Sequence, residues 1–200
     1  GHRLNRFDPG SGGLGHWAFD TDVASIAPTL DGGMLLAMRD GLWRLDLASG
    51  ERKRLAKPPY DPKQERFNDG KCDPQGRFWV GTIYEPRDAA RATLHCLVQG
   101  KLVQRADGVT VANGLAWSPN GRTMYWSDTK AHTVFALDFD PSDGSLSRRR
   151  VFAGFAPKQA GQDLGKKIAF IVNLLNPEVV VIGGGIEDCG AVLLDSVKNT

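Results

Sequence analysis

Asp73-Pro74-Gln75-Gly76 running into Arg77-Phe78-Trp79-Val80-Gly81 is a tight polar turn followed by an apolar strand, and the chain repeats it twice. Leu30-Asp31-Gly32-Gly33 precedes Met34-Leu35-Leu36-Ala37-Met38, and Ser118-Pro119-Asn120-Gly121 precedes Arg122-Thr123-Met124-Tyr125-Trp126. Each turn carries a glycine that tolerates a positive φ. Gly33, Gly76 and Gly121 lie 43 and 45 residues apart. A second landmark closes each unit: Asp46-Leu47-Ala48-Ser49-Gly50, then Val98-Gln99-Gly100, then Asp140-Pro141-Ser142-Asp143-Gly144. Each follows a strand-like run, at 41–45, 93–97 and 133–139, which predicts a hairpin.

A period of about 45 residues with four strand-like runs per unit predicts a mainly β chain made of β-propeller blades, each burying its faces against its neighbours. Three blades are legible, with the tail of an earlier one at 1–12, about three and a half in all. Trp17, Trp43, Trp79, Trp117 and Trp126 fall in strands, where packing between blades accounts for them. The period then stops. Leu164, Ile168, Ile171, Val172 and Leu175 follow helical spacing, Pro177 ends that helix, Glu178-Val179-Val180-Val181-Ile182 predicts a buried strand, Gly183-Gly184-Gly185 a turn, and 191–197 a second helix. The expected organisation is a partial propeller over 1–160 and a short α-β-α segment over 161–200, a chimera of two fragments.

The 200 residues are 41% apolar and 24% charged, which excludes a disordered chain. A net charge of +2 with no block of five like charges points away from nucleic acid and membrane surfaces and toward a small-molecule partner. Cys72, Cys96 and Cys189 share no close spacing, so a reducing, cytoplasmic setting without a disulfide framework is expected. The longest apolar runs fall far short of the roughly 20 residues of a spanning helix. His16, His95 and His132 have no carboxylate or cysteine at ligand spacing and read as ordinary surface or core histidines.

Arg66-Phe67-Asn68-Asp69-Gly70-Lys71, Val111-Ala112-Asn113-Gly114-Leu115-Ala116-Trp117-Ser118 and Tyr125-Trp126-Ser127-Asp128-Thr129, in that order, resemble the regucalcin/gluconolactonase/luciferin-regenerating-enzyme family. That resemblance implies a six-bladed propeller with one divalent cation in its channel, calcium, magnesium, manganese or zinc, and hydrolysis of a sugar lactone to the aldonic acid. It implies that Asn113 is a metal ligand and that Arg66 and Asn68 meet the substrate's hydroxyls. The family's other two ligands, a Glu of the first blade and an Asp of a later Pro-Asp-Gly motif, have no counterpart: the first would precede Gly1 and the second would fall where the chain changes character. Tight metal binding and full activity are therefore not expected of this chain alone. Asp69 and Asp128 are the nearest spare carboxylates. Asp128, at a strand end, is the candidate acid–base residue, against the alternative that it satisfies turn backbone.

The Asn173-Leu174-Leu175-Asn176-Pro177-Glu178 run and the following strand and glycines resemble the C-terminal part of ROK-family sugar kinases and repressors. Without a phosphoryl-transfer base or a Gly-Lys-Ser/Thr loop, kinase activity is not expected. Two other readings compete with the lactonase: a non-catalytic propeller that serves as a binding scaffold, and a sugar kinase or repressor carried by the tail alone.

Overall fold

The computed structural model describes residues 2–155. Contacts divide the chain into Gly1–Val151 and Phe152–Thr200; the architecture below is that of the first unit. The expected helices at 164–175 and 191–197, the strand at 178–182 and the sugar-kinase-like segment at 161–200 lie outside the described residues.

Among the described residues, fourteen strands form four antiparallel sheets without a helix. β1 (Arg3–Phe7) and β2 (Leu14–Ala18) make a two-stranded hairpin. Three four-stranded meanders follow. The first is β3 (Val23–Pro28), β4 (Met34–Met38), β5 (Gly41–Leu45) and β6 (Arg52–Ala56); the second is β7 (Glu65–Cys72), β8 (Phe78–Tyr84), β9 (Ala92–Val98) and β10 (Lys101–Val109); the third is β11 (Ala112–Trp117), β12 (Thr123–Asp128), β13 (Thr133–Phe139) and β14 (Leu146–Gly154). In each, strands consecutive in sequence are neighbours in space, as a blade requires.

The repeated turns connect the first and second strands of each blade. Gly32, Gly76 and Gly121 sit there at φ of 81°, 81° and 66°. In the first turn the left-handed residue is Gly32, not Gly33, so the landmarks are 44 and 45 residues apart and the repeat is more regular than the sequence suggested. The Asp73 carboxylate shows how such a turn is fixed. It accepts the N–H groups of Gln75 and Arg77, Arg77 Nε at 2.6 Å and the Trp79 indole at 2.9 Å. One buried acid thereby ties the turn to the largest side chain of the strand it starts.

Apolar side chains fill the spaces between blades. Leu35, Ala37 and Leu42 of the first blade pack with Phe67, Phe78 and Val80 of the second. Trp79, Leu94 and Cys96 of the second pack with Met124, Trp126 and Phe139 of the third. The β1–β2 hairpin contributes Leu4 and Trp17 to a cluster with Leu36, Met38 and Leu45. Strand alternation is thus expressed as two buried faces per sheet, one toward each neighbouring blade. All five tryptophans lie in strands, and Trp79, Trp117 and Phe139 form an aromatic cluster with centroids 5.9–6.2 Å apart. The first strands of successive blades are neighbours, β3 against β7 and β7 against β11, so residues near their ends meet across blade boundaries.

Candidate functional site

Asn68 lies on β7 and Asn113 on β11, the facing first strands of the second and third blades. Both strands are irregular at these positions. The β7–β8 register breaks between Phe67 and Gly70, and the β11–β12 register breaks between Asn113 and Ala116. A bulge releases residues from the ladder and re-aims their side chains. The small polar residues Asn68, Asp69 and Gly114 occupy these breaks, where a β-branched residue would favour continued pairing.

The two asparagines are joined. Asn68 Nδ2 donates to the Ala112 carbonyl at 2.8 Å and to Asn113 Oδ1 at 3.2 Å. Asn113 Nδ2 donates to Thr129 Oγ1 at 2.9 Å, which fixes the amide so that its oxygen faces Asn68. Next to Asn68, Asp69 Oδ2 accepts the Gly114 N–H at 2.9 Å. Arg66 completes the row: its Nη1 donates to the Phe67 carbonyl at 3.0 Å and to Asn68 Oδ1 at 3.4 Å. Arg66, Asn68 and Asn113, singled out from sequence, therefore form one hydrogen-bonded chain of polar side chains, each only partly buried.

Arg66 is held from behind by groups the sequence did not single out. Its Nε donates to Glu85 Oε1 at 3.2 Å. Glu85, just after β8, also receives two bonds from Arg39, at 2.9 and 2.8 Å. Arg39 follows β4 in the first blade and further contacts Asp22 at 3.2 Å and the Pro62 carbonyl at 3.1 Å. The Arg39 guanidinium holds the Glu85 carboxyl below its ordinary range, and Glu85 in turn raises Arg39. The missed signal was pairing between residues far apart in sequence, which no local motif encodes.

Asp128 is placed differently. It is buried, and its oxygens accept the N–H groups of Thr110 at 3.0 Å, Val111 at 3.1 Å and Lys130 at 3.1 Å. The geometry gives this carboxylate the task of holding the β10–β11 connection, the segment that delivers Asn113. It has no hydrogen bond to Arg66, Asn68 or Asn113. Cys72 and Cys96 are free thiols pushed up by burial, Cys96 to about 11, which makes them poor nucleophiles.

The arrangement offers an amide oxygen, a guanidinium and an amide in a row, a donor-and-acceptor set suited to a polyhydroxylated ligand. A hard cation fits Asn113 Oδ1, a neutral oxygen already oriented by two hydrogen bonds and retaining a lone pair. Among the described residues, no three His, Cys, Asp or Glu side chains converge as a metal site. Asn113 offers a single oxygen ligand, not a complete coordination shell.

Residues 1–165 match the family model described as the SMP-30/gluconolactonase/LRE-like region. The chain belongs to this family. It is 34% identical over 164 residues to 6-deoxy-6-sulfogluconolactonase of Pseudomonas putida, a match that covers 82% of this chain and 56% of the relative. The structure is similar to that of regucalcin from Agrobacterium tumefaciens, described as a calcium-binding protein, with a TM-score of 0.70, 26% identity and coverage of 76% of this chain and 52% of the other. It also resembles the Dos1 propeller in fold alone, with a TM-score of 0.53, 16% identity and coverage of 75% of this chain and 42% of the other. Propeller-type architecture thus accords with the blade-like meanders, and the chain spans about half the length of the curated relatives it matches. Among the described residues there is no helix long and apolar enough to cross a membrane.

Proposed function

We propose that this member of the family serves hydrolysis of a sugar lactone to the open hydroxy acid. The observation that supports this most is the joining of Arg66, Asn68 and Asn113 into one polar row by bonds of 2.8–3.4 Å across two blades. In the proposal Arg66 and Asn68 bind the hydroxyls of the sugar and set the lactone carbonyl toward Asn113. Glu85 and Arg39 keep Arg66 in place, so that little side-chain freedom is lost on binding. Water adds to the carbonyl carbon, the ring C–O bond breaks, and the ring oxygen leaves as a hydroxyl with the proton the water gives up. Asn113 Oδ1 would be one ligand of a divalent cation, whether calcium, magnesium, manganese or zinc, which when bound would supply positive charge for the developing oxyanion and lower the pKa of a water. Asp128 supports the site by holding the Thr110–Val111 backbone that leads into Asn113.

The test is release of acid from glucono-δ-lactone by the full chain, above the spontaneous rate, with and without added divalent cation. Cation-dependent release that falls by about two orders of magnitude in Asn113→Ala supports the reading. No release above background overturns it. The second reading, a non-catalytic binding blade set, is favoured by the lack of a converging carboxylate cluster among the described residues. Under that reading the lactone binds and Arg66→Ala weakens binding, with no acid released.

A further inference from the structure

We infer that Asp69 is a positioning residue for Asn113, acting across the boundary between two blades; the inference rests on Asn113 being the functional amide proposed above. Asp69 Oδ2 accepts the Gly114 N–H at 2.9 Å. Gly114 lies in the break of the β11–β12 register, so this amide is outside the ladder, and Asp69 provides the acceptor that the ladder withdraws. On the other side of the same residue, Gly114 has φ of 55°, and a Cβ there would come within 2.8 Å of Ser127 Oγ. The peptide leaving Asn113 is therefore held by Asp69 of the neighbouring blade, at a position where the space beside Ser127 admits no larger residue than glycine.

The grip is double. Asn68 holds the Asn113 side chain through Oδ1, and the adjacent Asp69 holds the backbone immediately after it. Two consecutive residues in the β7 bulge thus set the side chain and the main chain of two consecutive positions in the β11 bulge. A charged acceptor makes the backbone bond stronger than a neutral one would. Asp69 places the Asn113 oxygen by fixing the strand that carries it, and it does so without touching that oxygen.

Amide and side-chain NMR of the full chain tests this, with the Thr110 and Val111 amides, held by Asp128, reporting that the fold is intact. In Asp69→Ala the Gly114 amide is expected to exchange about tenfold faster, as loss of a charge-assisted bond requires. The Asn113 side-chain amide resonances shift with it. In Asp69→Asn, which keeps an acceptor oxygen and loses the charge, both signals move in the same direction by a smaller amount. Unchanged Gly114 and Asn113 signals in Asp69→Ala overturn the proposal, as does a change in Asp69→Asn as large as that in Asp69→Ala, which would show that the acceptor oxygen is not what holds the amide. Should Asp69→Ala not fold, the unaltered chain decides: a through-hydrogen-bond scalar coupling between the Gly114 amide nitrogen and the Asp69 carboxyl carbon is expected, and its absence overturns the proposal. Glucono-δ-lactone turnover measured in parallel judges the lactonase reading separately, because its absence in the unaltered chain leaves the amide signals to decide the clamp.

Discussion

Asn113 and Gly114 show how much depends on single residues. A Cβ at Gly114 would be in conflict with Ser127 Oγ, and the backbone there is left-handed. Gly114→Ala is accordingly expected to destabilise by about 1–3 kcal/mol, and to disturb the Asn113 side chain, read as a lowered urea midpoint and shifted Asn113 amide resonances. Asp128→Ala removes an acceptor from the buried amides of Thr110 and Val111 and should cost about 2–4 kcal/mol by the same measurement. Arg66, Asn68 and Asn113 could be singled out in the sequence because they sit in compact motifs that carry the family resemblance, and the structure joins them by hydrogen bonds. Glu85 and Arg39 were not, since their value comes from meeting each other across two blades, 46 residues apart in sequence.

At the scale of the strand, the turns were the legible part. Asp, Asn, Pro and Gly at fixed offsets encode turn chemistry locally, and the strands at 34–38 and 133–139 follow with the expected ends. The first strands of the second and third blades were not legible, although they carry the candidate site. Asn68-Asp69-Gly70 and Asn113-Gly114 have the composition of loops; they stay in strands because neighbouring blades supply the partners that the bulged ladder gives up. The strand β9 carries a different kind of local conflict. His95 is buried, with Nε2 at 2.8 Å from Thr93 Oγ1 and Nδ1 without a hydrogen bond, and burial draws it down from 6.5 to about 4. Thr93 Oγ1 and Thr82 Oγ1 link it to Glu65, itself pushed up by burial. Because the unfolded chain takes up this proton near pH 6.5 and the folded chain only near pH 4, stability is unaffected above 6.5 and falls as pH drops between the two values. The loss reaches about 3 kcal/mol at the acid end. Urea midpoints measured from pH 7.5 to 4.5 should fall for the unaltered chain, and fall distinctly less for His95→Gln.

For the unit Gly1–Val151 as a whole, stability is a matter of blades packed on blades, since each sheet exposes two apolar faces that only a neighbour can cover. Trp79 is completely buried between the second and third blades, with its indole N–H spent on Asp73. Trp79→Ala should cost about 3–5 kcal/mol, a large share of a domain's usual margin, and should be visible as a collapse of the thermal midpoint. The period of about 45 residues foresaw this layered packing, because a repeat that cannot cover its own faces must stack. The same packing brings β7 to β11 and so makes the Arg66–Asn68–Asn113 row, the basis of the lactonase reading. The most direct measurement of that reading is acid release from glucono-δ-lactone by the full chain, titrated with calcium, for the unaltered protein and Asn113→Ala. Calcium-dependent release above the spontaneous rate that is lost in Asn113→Ala is the predicted result; release absent at every calcium concentration, or identical in the variant, would contradict it.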